Sequence, residues 1–151
     1  MQKSHDIRIL SQTAEHAIRA LLYLAQTDIA VPASEIATAI GAPANYLSKT
    51  LQVLARNGMV SSTRGPSGGF RLAWNPAEIT VLDVASLFAE RAQPQMCMLG
   101  GALCSAERAC ATHDHWVTMR SSMLQILNEQ TVAGLLGDGA LCLHATATQW
   151  N

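Results

Sequence analysis

The stretch that decides the fold runs from residue 57 to residue 73 and reads NGMVSSTRGPSGGFRLA. Two segments within it, Met59–Ser62 and Phe70–Ala73, have the composition of short β-strands. The segment between them, Thr63–Gly69, is rich in glycine and proline, which is typical of a loop. We therefore predict a short β-hairpin at this point of the chain.

Three helices are predicted on the N-terminal side of the hairpin. Apolar residues recur at helical spacing over Ser11–Gln26, which indicates the first helix. A short second helix is predicted within Val31–Gly41 and a third within Ala42–Asn57, because proline favours helix starts and glycine favours helix ends. The third helix is expected to bury Tyr46, Leu47, Leu51 and Leu54.

Two short helices joined by a tight turn that contains Gly41 are typical of the helix-turn-helix. The second helix of that motif enters the major groove of DNA. The hairpin that follows then takes the place of a wing. We expect a mainly α fold with a small β-wing, in which residues 1–75 form a winged helix-turn-helix and a long helix follows towards the C-terminus.

The charge of the chain is divided between its two halves. The formal net charge is −1, but residues 1–75 carry seven Lys or Arg against four Asp or Glu, whereas residues 76–151 carry three against seven. Between Ile36 and Asn75 there are four basic residues and no acidic one. A surface that carries only positive charge attracts a polyanion, which favours double-stranded DNA as the partner.

Seven polar side chains of this basic region are candidates for contact with DNA. They are Asn45, Ser48, Lys49, Gln52 and Arg56 of the third helix and Arg64 and Ser67 of the wing. Amide and hydroxyl groups of a recognition helix read base edges, whereas lysine and arginine favour phosphates. An arginine at a wing tip is drawn to the negative potential of a narrow minor groove. The alternative for each residue is an ordinary solvated side chain.

The C-terminal half is predicted to contain four segments. They are a connecting helix at 76–91, a loop at 92–113, a dimerisation helix at 114–136 and a tail at 137–151. The helical pattern itself runs over His113–Gln130, and Thr131–Leu136 is predicted as a last turn. Thr80 and Asp83 are spaced as a capping box at the start of the connecting helix. The apolar face of the long helix is broader than a small monomer covers, which favours a homodimer. The alternative is that this helix packs on its own winged domain.

Three of the four cysteines lie within fourteen residues, at Cys97, Cys104 and Cys110. This spacing does not match the paired CxxC segments of a zinc ribbon. Thiolates are the ligands of iron–sulfur clusters, and a loop that contains glycine allows three of them to converge. Three thiolates leave one ligand position unfilled. We expect either His113, three residues after Cys110, or Glu15 of the first helix from this or a partner subunit to fill it.

Other interpretations of the cysteine group are open at this point. Three cysteines and a histidine also form zinc sites. Exposed thiols of low pKa sense oxidants without any metal. A protein of either kind would still regulate transcription. A further alternative is an iron–sulfur electron carrier, in which the basic wing would have no function.

The composition excludes several classes of protein. The chain has 151 residues, 49% hydrophobic and 14% charged, a balance that indicates a globular domain with its own core rather than a disordered chain. No apolar run reaches the roughly 18 residues of a membrane span, and the first ten residues lack the apolar core of a signal peptide. We predict a cytoplasmic protein with no membrane partner and no enzymatic activity.

The sequence resembles the Rrf2 family of winged-helix transcription regulators from about residue 10 to residue 136. The resemblance rests on residues 17–25 (AIRALLYLA), 46–49 (YLSK) and above all 57–70 (NGMVSSTRGPSGGF). In the C-terminal half, the three cysteines, Thr112, His113, Trp116 and residues 131–135 (TVAGL) are similar to the members that bind iron–sulfur clusters.

This resemblance implies a homodimer joined through the long C-terminal helix and bound to a palindromic promoter site. It also implies that Cys97, Cys104 and Cys110 ligate the cluster, with His113 or Glu15 as the fourth ligand. Six residues separate the first two cysteines, a longer gap than in the commonest members, so both a 2Fe–2S and a 4Fe–4S cluster are considered. The expected signal is redox state, nitric oxide, or iron and cluster status.

Overall fold

The computed structural model describes residues 9–89, 97–99 and 103–137. In these ranges the elements are α1 (Gln12–Leu24), α2 (Ala33–Ile40), α3 (Ala44–Arg56), β1 (Val60–Thr63), β2 (Gly69–Leu72), α4 (Val81–Leu87), a 3-10 turn (Ala106–Arg108), α5 (His113–Glu129) and α6 (Val132–Gly137). The expected mainly α architecture with a small β-wing is confirmed. Of the predicted tail, only residue 137 is among the described residues, and residues 138–151 lie outside them.

Helix α1 is the centre of the core. Its start is capped by Ser11, whose hydroxyl accepts a hydrogen bond from the Ala14 N–H at 3.2 Å. One face of α1 is buried, including Leu21 and Leu24, and it packs against α2, α3, α4 and α6. Since full burial of a leucine side chain contributes about 1.5–3 kcal/mol, this helix holds the other elements in place.

The turn between α2 and α3 depends on Gly41. This residue has φ 69°, in the left-handed region that favours glycine. The N–H groups of Gly41 and Ala42 donate to the carbonyls of Thr38 and Ala37 at 3.4 and 2.9 Å, which closes the end of α2. Pro43 then precedes the first turn of α3. The predicted helix-turn-helix is thereby confirmed.

The prediction that Tyr46 is buried with the leucines of α3 is wrong. Leu47, Leu51 and Leu54 are fully buried, but Thr50 takes the fourth buried position and Tyr46 is 39% exposed. Tyr46 lies one residue before this stripe, about 100° around the helix. Its ring packs edge-on against His16, with centroids 5.9 Å apart, and its hydroxyl hydrogen-bonds to Thr13.

The wing is an antiparallel pair of strands in which Val60 lies opposite Leu72 and Thr63 opposite Gly69. β1 begins and ends one residue later than predicted, and β2 begins and ends one residue earlier, so the loop between them shortens to residues 64–68. Met59 precedes the sheet and is buried, and its carbonyl accepts the Ala73 N–H at 3.0 Å. These contacts fix the base of the hairpin to the core.

Helix α4 begins with the predicted capping box. Asp83 N–H donates to the Thr80 hydroxyl at 3.0 Å, and the Thr80 N–H donates to the Asp83 carboxylate at 3.0 Å. The helix was expected to continue to the end of the 76–91 segment, but it ends at Leu87. Residue 90 and those directly after it lie outside the described residues.

The long helix predicted over His113–Gln130 corresponds to α5, which ends at Glu129, and the last turn predicted over Thr131–Leu136 corresponds to α6, which begins at Val132. Gln130 is extended, with ψ 124°, and its carbonyl accepts the Val81 N–H at 2.8 Å. The Val132 N–H donates to the Ile79 carbonyl at 2.9 Å. These bonds to the start of α4 replace the ones that would have continued the helix.

Candidate DNA-binding face and cysteine cluster

The exposed face of α3 carries four of the predicted DNA contacts in one row. Asn45, Lys49, Gln52 and Arg56 follow each other at spacings of four, three and four residues and are all exposed. This spacing places them on one side of a helix. The opposite side is the leucine stripe in the core, so the row points away from the protein.

Ser48 lies at the edge of this row and is half-buried. Its hydroxyl donates to the Ala44 carbonyl one turn earlier, at 3.0 Å. The hydroxyl proton is therefore already used, and the oxygen can act towards a ligand only as an acceptor. Among the predicted base-reading residues, Asn45 and Gln52 present freer donors than Ser48 does.

The wing presents Arg64 and Ser67 on an exposed loop. The strand that follows this loop is held by a reciprocal pair of backbone hydrogen bonds between Val31 and Phe70, at 2.9 and 2.8 Å. Gly69 makes this approach possible, because a Cβ atom there would lie 2.4 Å from the Val31 carbonyl. The loop that carries Arg64 therefore stands in a defined position relative to α2.

The acidic residue that precedes the acid-free stretch is Glu35, at the start of α2. The Tyr23 hydroxyl of α1 donates to the Glu35 carboxylate at 3.3 Å. Partial burial and the neighbouring Glu35 carboxylate raise the pKa of Tyr23 above its usual value. The Glu35 carboxylate is thus hydrogen-bonded to α1, while α3 and the wing carry basic residues and no acidic ones.

The cysteine group lies at the start of α5. Cys97 and Cys104 are half-buried and Cys110 is exposed. The Cys104 Sγ lies 3.0 Å from the His113 Nδ1, and the Cys110 Sγ lies 3.3 Å from the Thr112 hydroxyl. The His113 N–H donates to the Cys110 carbonyl at 3.0 Å, which begins the helix.

The three thiols are close enough to affect one another. Partial burial, followed by the neighbouring Cys97 and Cys110 thiols, raises the pKa of Cys104, while the positive charge of Arg120 opposes this. Hydrogen bonds from Thr112 lower the pKa of Cys110. Cys110 is therefore the thiol that ionises more readily of these two.

The sequence-predicted ligands are brought together in part. Cys97, Cys104, Cys110 and His113 form one group, whereas Glu15 lies half-buried in the first turn of α1. Within the described ranges, no three His, Cys, Asp or Glu side chains form a closed site for a metal ion. The chemistry of three thiols with one imidazole nevertheless fits a thiophilic centre.

Arg120 is a member of this group that the sequence interpretation missed. It lies on α5 seven residues after His113, a spacing that returns to the same helix face. Its Nη1 atom is buried and has no hydrogen-bond partner among the residues described. The helical spacing from His113 was the signal that could have identified it.

The apolar face of α5 is open in a single chain. No residue of this helix is buried, and Met119 and Ile126 are 54% and 57% exposed. On the inner side α5 packs against α4, with Leu127 against the core. Among the described residues, no helix combines the length and the hydrophobicity that crossing a bilayer requires.

Comparison with known proteins places this arrangement in a family. Residues 10–138 match the Rrf2 family, described as an iron-dependent transcriptional regulator. A helix-turn-helix transcriptional regulator of Aquifex aeolicus (strain VF5) is 35% identical over 131 residues, which are 85% of this chain and 91% of the relative.

Solved structures agree with this match. The structure of T. potens IscR has a TM-score of 0.70 at 26% identity and covers 90% of each chain. CymR, the global cysteine regulator of B. subtilis, has a TM-score of 0.72 at 19% identity, over 88% of this chain and 99% of CymR. The likeness to CymR shows the fold alone.

These relatives are transcriptional regulators and not enzymes, which agrees with the absence of enzymatic activity predicted from the sequence. The family match spans the helix-turn-helix, the wing and the α5–α6 region. The chain therefore belongs to the Rrf2 family of winged-helix transcriptional regulators.

Proposed function

We propose that this chain is a homodimeric DNA-binding regulator whose affinity for a palindromic promoter site is set by an iron–sulfur cluster. Cys97, Cys104 and Cys110 would hold the cluster, with His113 or Glu15 as the fourth ligand. The observation that carries the proposal is the 3.0 Å contact between the Cys104 Sγ and the His113 Nδ1. That contact joins an imidazole to a group of three thiols.

DNA binding is supported by the two exposed surfaces of the N-terminal half. In this proposal α3 lies in the major groove, where Asn45 and Gln52 reach base edges and Lys49 and Arg56 reach phosphates. The wing loop, with Arg64 and Ser67, lies over the adjacent minor groove. A dimer would bind two half-sites one helical turn apart, about 34–36 Å.

Dimerisation is supported by the open face of α5. Two copies that pack along this face would bury Met119 and Ile126, which a single chain leaves more than half exposed. A large side chain contributes about 1.5–3 kcal/mol when fully buried. A two-fold arrangement would also match the symmetry of a palindromic site.

The cysteine group is connected to this interface by the chain itself. The Cys110 carbonyl accepts the His113 N–H that begins α5, so a change in how these residues bind a ligand also changes the first turn of the helix. An iron–sulfur cluster supplies, when bound, a centre that exchanges electrons and links the cysteines to one another. A coupling of about 1–3 kcal/mol would change operator occupancy about 5- to 150-fold.

A thiol-based regulator of the same fold is the second candidate. The observation that favours it is the exposed Cys110, whose thiol pKa is lowered by hydrogen bonds from Thr112. Exposed thiols that ionise readily react with oxidants. A zinc site formed by the three cysteines and His113 belongs to the same alternative. The electron-carrier alternative finds no support, because the relatives are transcriptional regulators.

The deciding experiment is purification under anaerobic conditions with analysis of iron, acid-labile sulfide and zinc. Iron and sulfide in equal amounts are expected, and their number per chain separates a 2Fe–2S from a 4Fe–4S cluster. Promoter binding is then measured with the centre intact and after it is removed. A colourless protein with stoichiometric zinc, or with thiols only, would favour the second candidate.

The fourth ligand is tested by two single substitutions. Because the imidazole contacts Cys104, we expect His113→Ala to change the visible absorption spectrum and to reduce iron retention about 10- to 100-fold or more. Glu15→Ala is the comparison and is expected to leave the spectrum unchanged. The reverse result would assign the position to Glu15 and would indicate that α1 supplies a ligand.

A further inference from the structure

Arg120 has an unusual environment for an arginine. One of its guanidinium nitrogens, Nη1, is buried and has no hydrogen-bond partner among the residues described. A buried charged donor without a partner is costly, and arginine cannot relieve this by losing its proton. A side chain in this condition indicates that a negative group belongs next to it.

The position of Arg120 identifies where that group lies. Seven residues separate Arg120 from His113, which places both on one face of α5 about 10 Å apart along the axis. His113 contacts the Cys104 thiol at 3.0 Å. Side chains on an α-helix lean towards its N-terminus, which for Arg120 is the end of α5 that carries His113. Arg120 therefore lies on the α5 face that leads to the group of thiols.

We propose that Arg120 is the residue that compensates the negative charge of the thiolates and of the centre they hold, and that it thereby sets the reduction potential of that centre. The proposal rests on the iron–sulfur function proposed above. A fixed positive charge stabilises the more negative, reduced state relative to the oxidised one. Arg120 acts through charge and position, and it is not itself a ligand.

A matched control is available in Arg108. This arginine lies in the 3-10 turn between Cys104 and Cys110, and it is exposed. Replacing it by glutamine removes the same charge from a segment that lies between two of the cysteines. Its effect on the centre should be small, because solvent and salt screen an exposed charge.

The test is a redox titration of the anaerobically purified full chain. Wild type, Arg120→Gln, Arg120→Lys and Arg108→Gln are each reduced by dithionite in the presence of mediators, one electron per centre, and followed by visible absorption. At the wild-type midpoint we expect Arg120→Gln to lower the ratio of reduced to oxidised centre about tenfold, which corresponds to about 59 mV for a one-electron couple. Arg120→Lys should restore most of the shift, and Arg108→Gln should cause little.

The inference is overturned if the loaded Arg120→Gln protein titrates like Arg108→Gln. It is also overturned if Arg120→Gln leaves the potential unchanged and alters only the monomer–dimer equilibrium, since Arg120 would then pair with a second copy. If Arg120→Gln is folded by circular dichroism but holds no iron, loading of Arg120→Lys supports the role of the charge, and equal failure of both refutes it. A wild-type chain without iron and sulfide would instead refute the proposed cluster, and the inference with it.

Discussion

The winged helix-turn-helix and α5 differ in what covers their side chains. In α3 the apolar stripe is fully buried against α1, and the opposite face carries only exposed polar groups. In α5 no residue is buried, and large apolar side chains remain exposed. The first region is complete within one chain. The second has a surface that a second copy would bury and, in Arg120, a buried guanidinium nitrogen with no hydrogen-bond partner in the part of the chain that the structure describes.

The difference matters for how such a protein responds to a signal. A core that is closed within one chain keeps the exposed face of α3, which carries the predicted DNA contacts, in one conformation. A segment whose contacts are completed from outside can adopt two arrangements that differ by a small free energy, and a ligand can shift that balance. In the function proposed above, the sensing region is therefore the less buried one.

The largest effect is expected from Leu51→Ala. Leu51 is fully buried in α3, so its truncation should reduce the free energy of unfolding by about 2–5 kcal/mol. Urea denaturation followed by circular dichroism measures this loss.

Ile126→Ala on α5 is the control for Leu51→Ala, because Ile126 is 57% exposed. Its effect on unfolding of the single chain should stay within about 0.5 kcal/mol. Both variants are compared at several protein concentrations, since the stability of a dimer depends on concentration. Similar losses in the two variants at low concentration would contradict the contrast between the two regions.

A smaller effect is expected from Arg64→Ala, and it should appear in DNA binding and not in stability. If Arg64 enters a groove, its loss should weaken promoter binding by about 1–3 kcal/mol. Arg108→Ala removes the same charge outside α3 and the wing, and it should change the affinity for promoter DNA much less. Fluorescence anisotropy at a fixed salt concentration measures both. Equal affinities of wild type and Arg64→Ala would remove this arginine from the DNA contacts.

Most of the N-terminal half could be predicted because its signals are local. The end of α2 depends on Gly41 itself, and the start of α4 depends on Thr80 and Asp83, three residues apart. The hairpin follows from glycine and proline within one short segment. In each case the residues that determine the structure are the ones that form it.

The features that could not be predicted depend on contacts between distant residues. The hydrogen-bond partners at the break after α5 are an example, since the N–H groups of Val81 and Val132 donate to the carbonyls of Gln130 and Ile79, about 50 residues away in sequence. Periodicity predicted the helix over His113–Gln130 and the last turn over Thr131–Leu136, but it reports which face is apolar and not which backbone groups bond to each other.

The smallest effect is expected from Thr131→Ala, at the junction of the two regions. The Thr131 hydroxyl accepts the Gly134 N–H at 3.0 Å and caps α6, whose Val132 is fully buried in the shared core. Removing this cap should cost about 1 kcal/mol of unfolding free energy. Thr131→Ser keeps the hydroxyl and should restore most of the loss, whereas Thr131→Val should not. A full effect in Thr131→Ser would show that the methyl group matters and not the cap. If Thr131→Ala also left promoter affinity unchanged, α6 would serve to close the core and would not transmit the signal from α5.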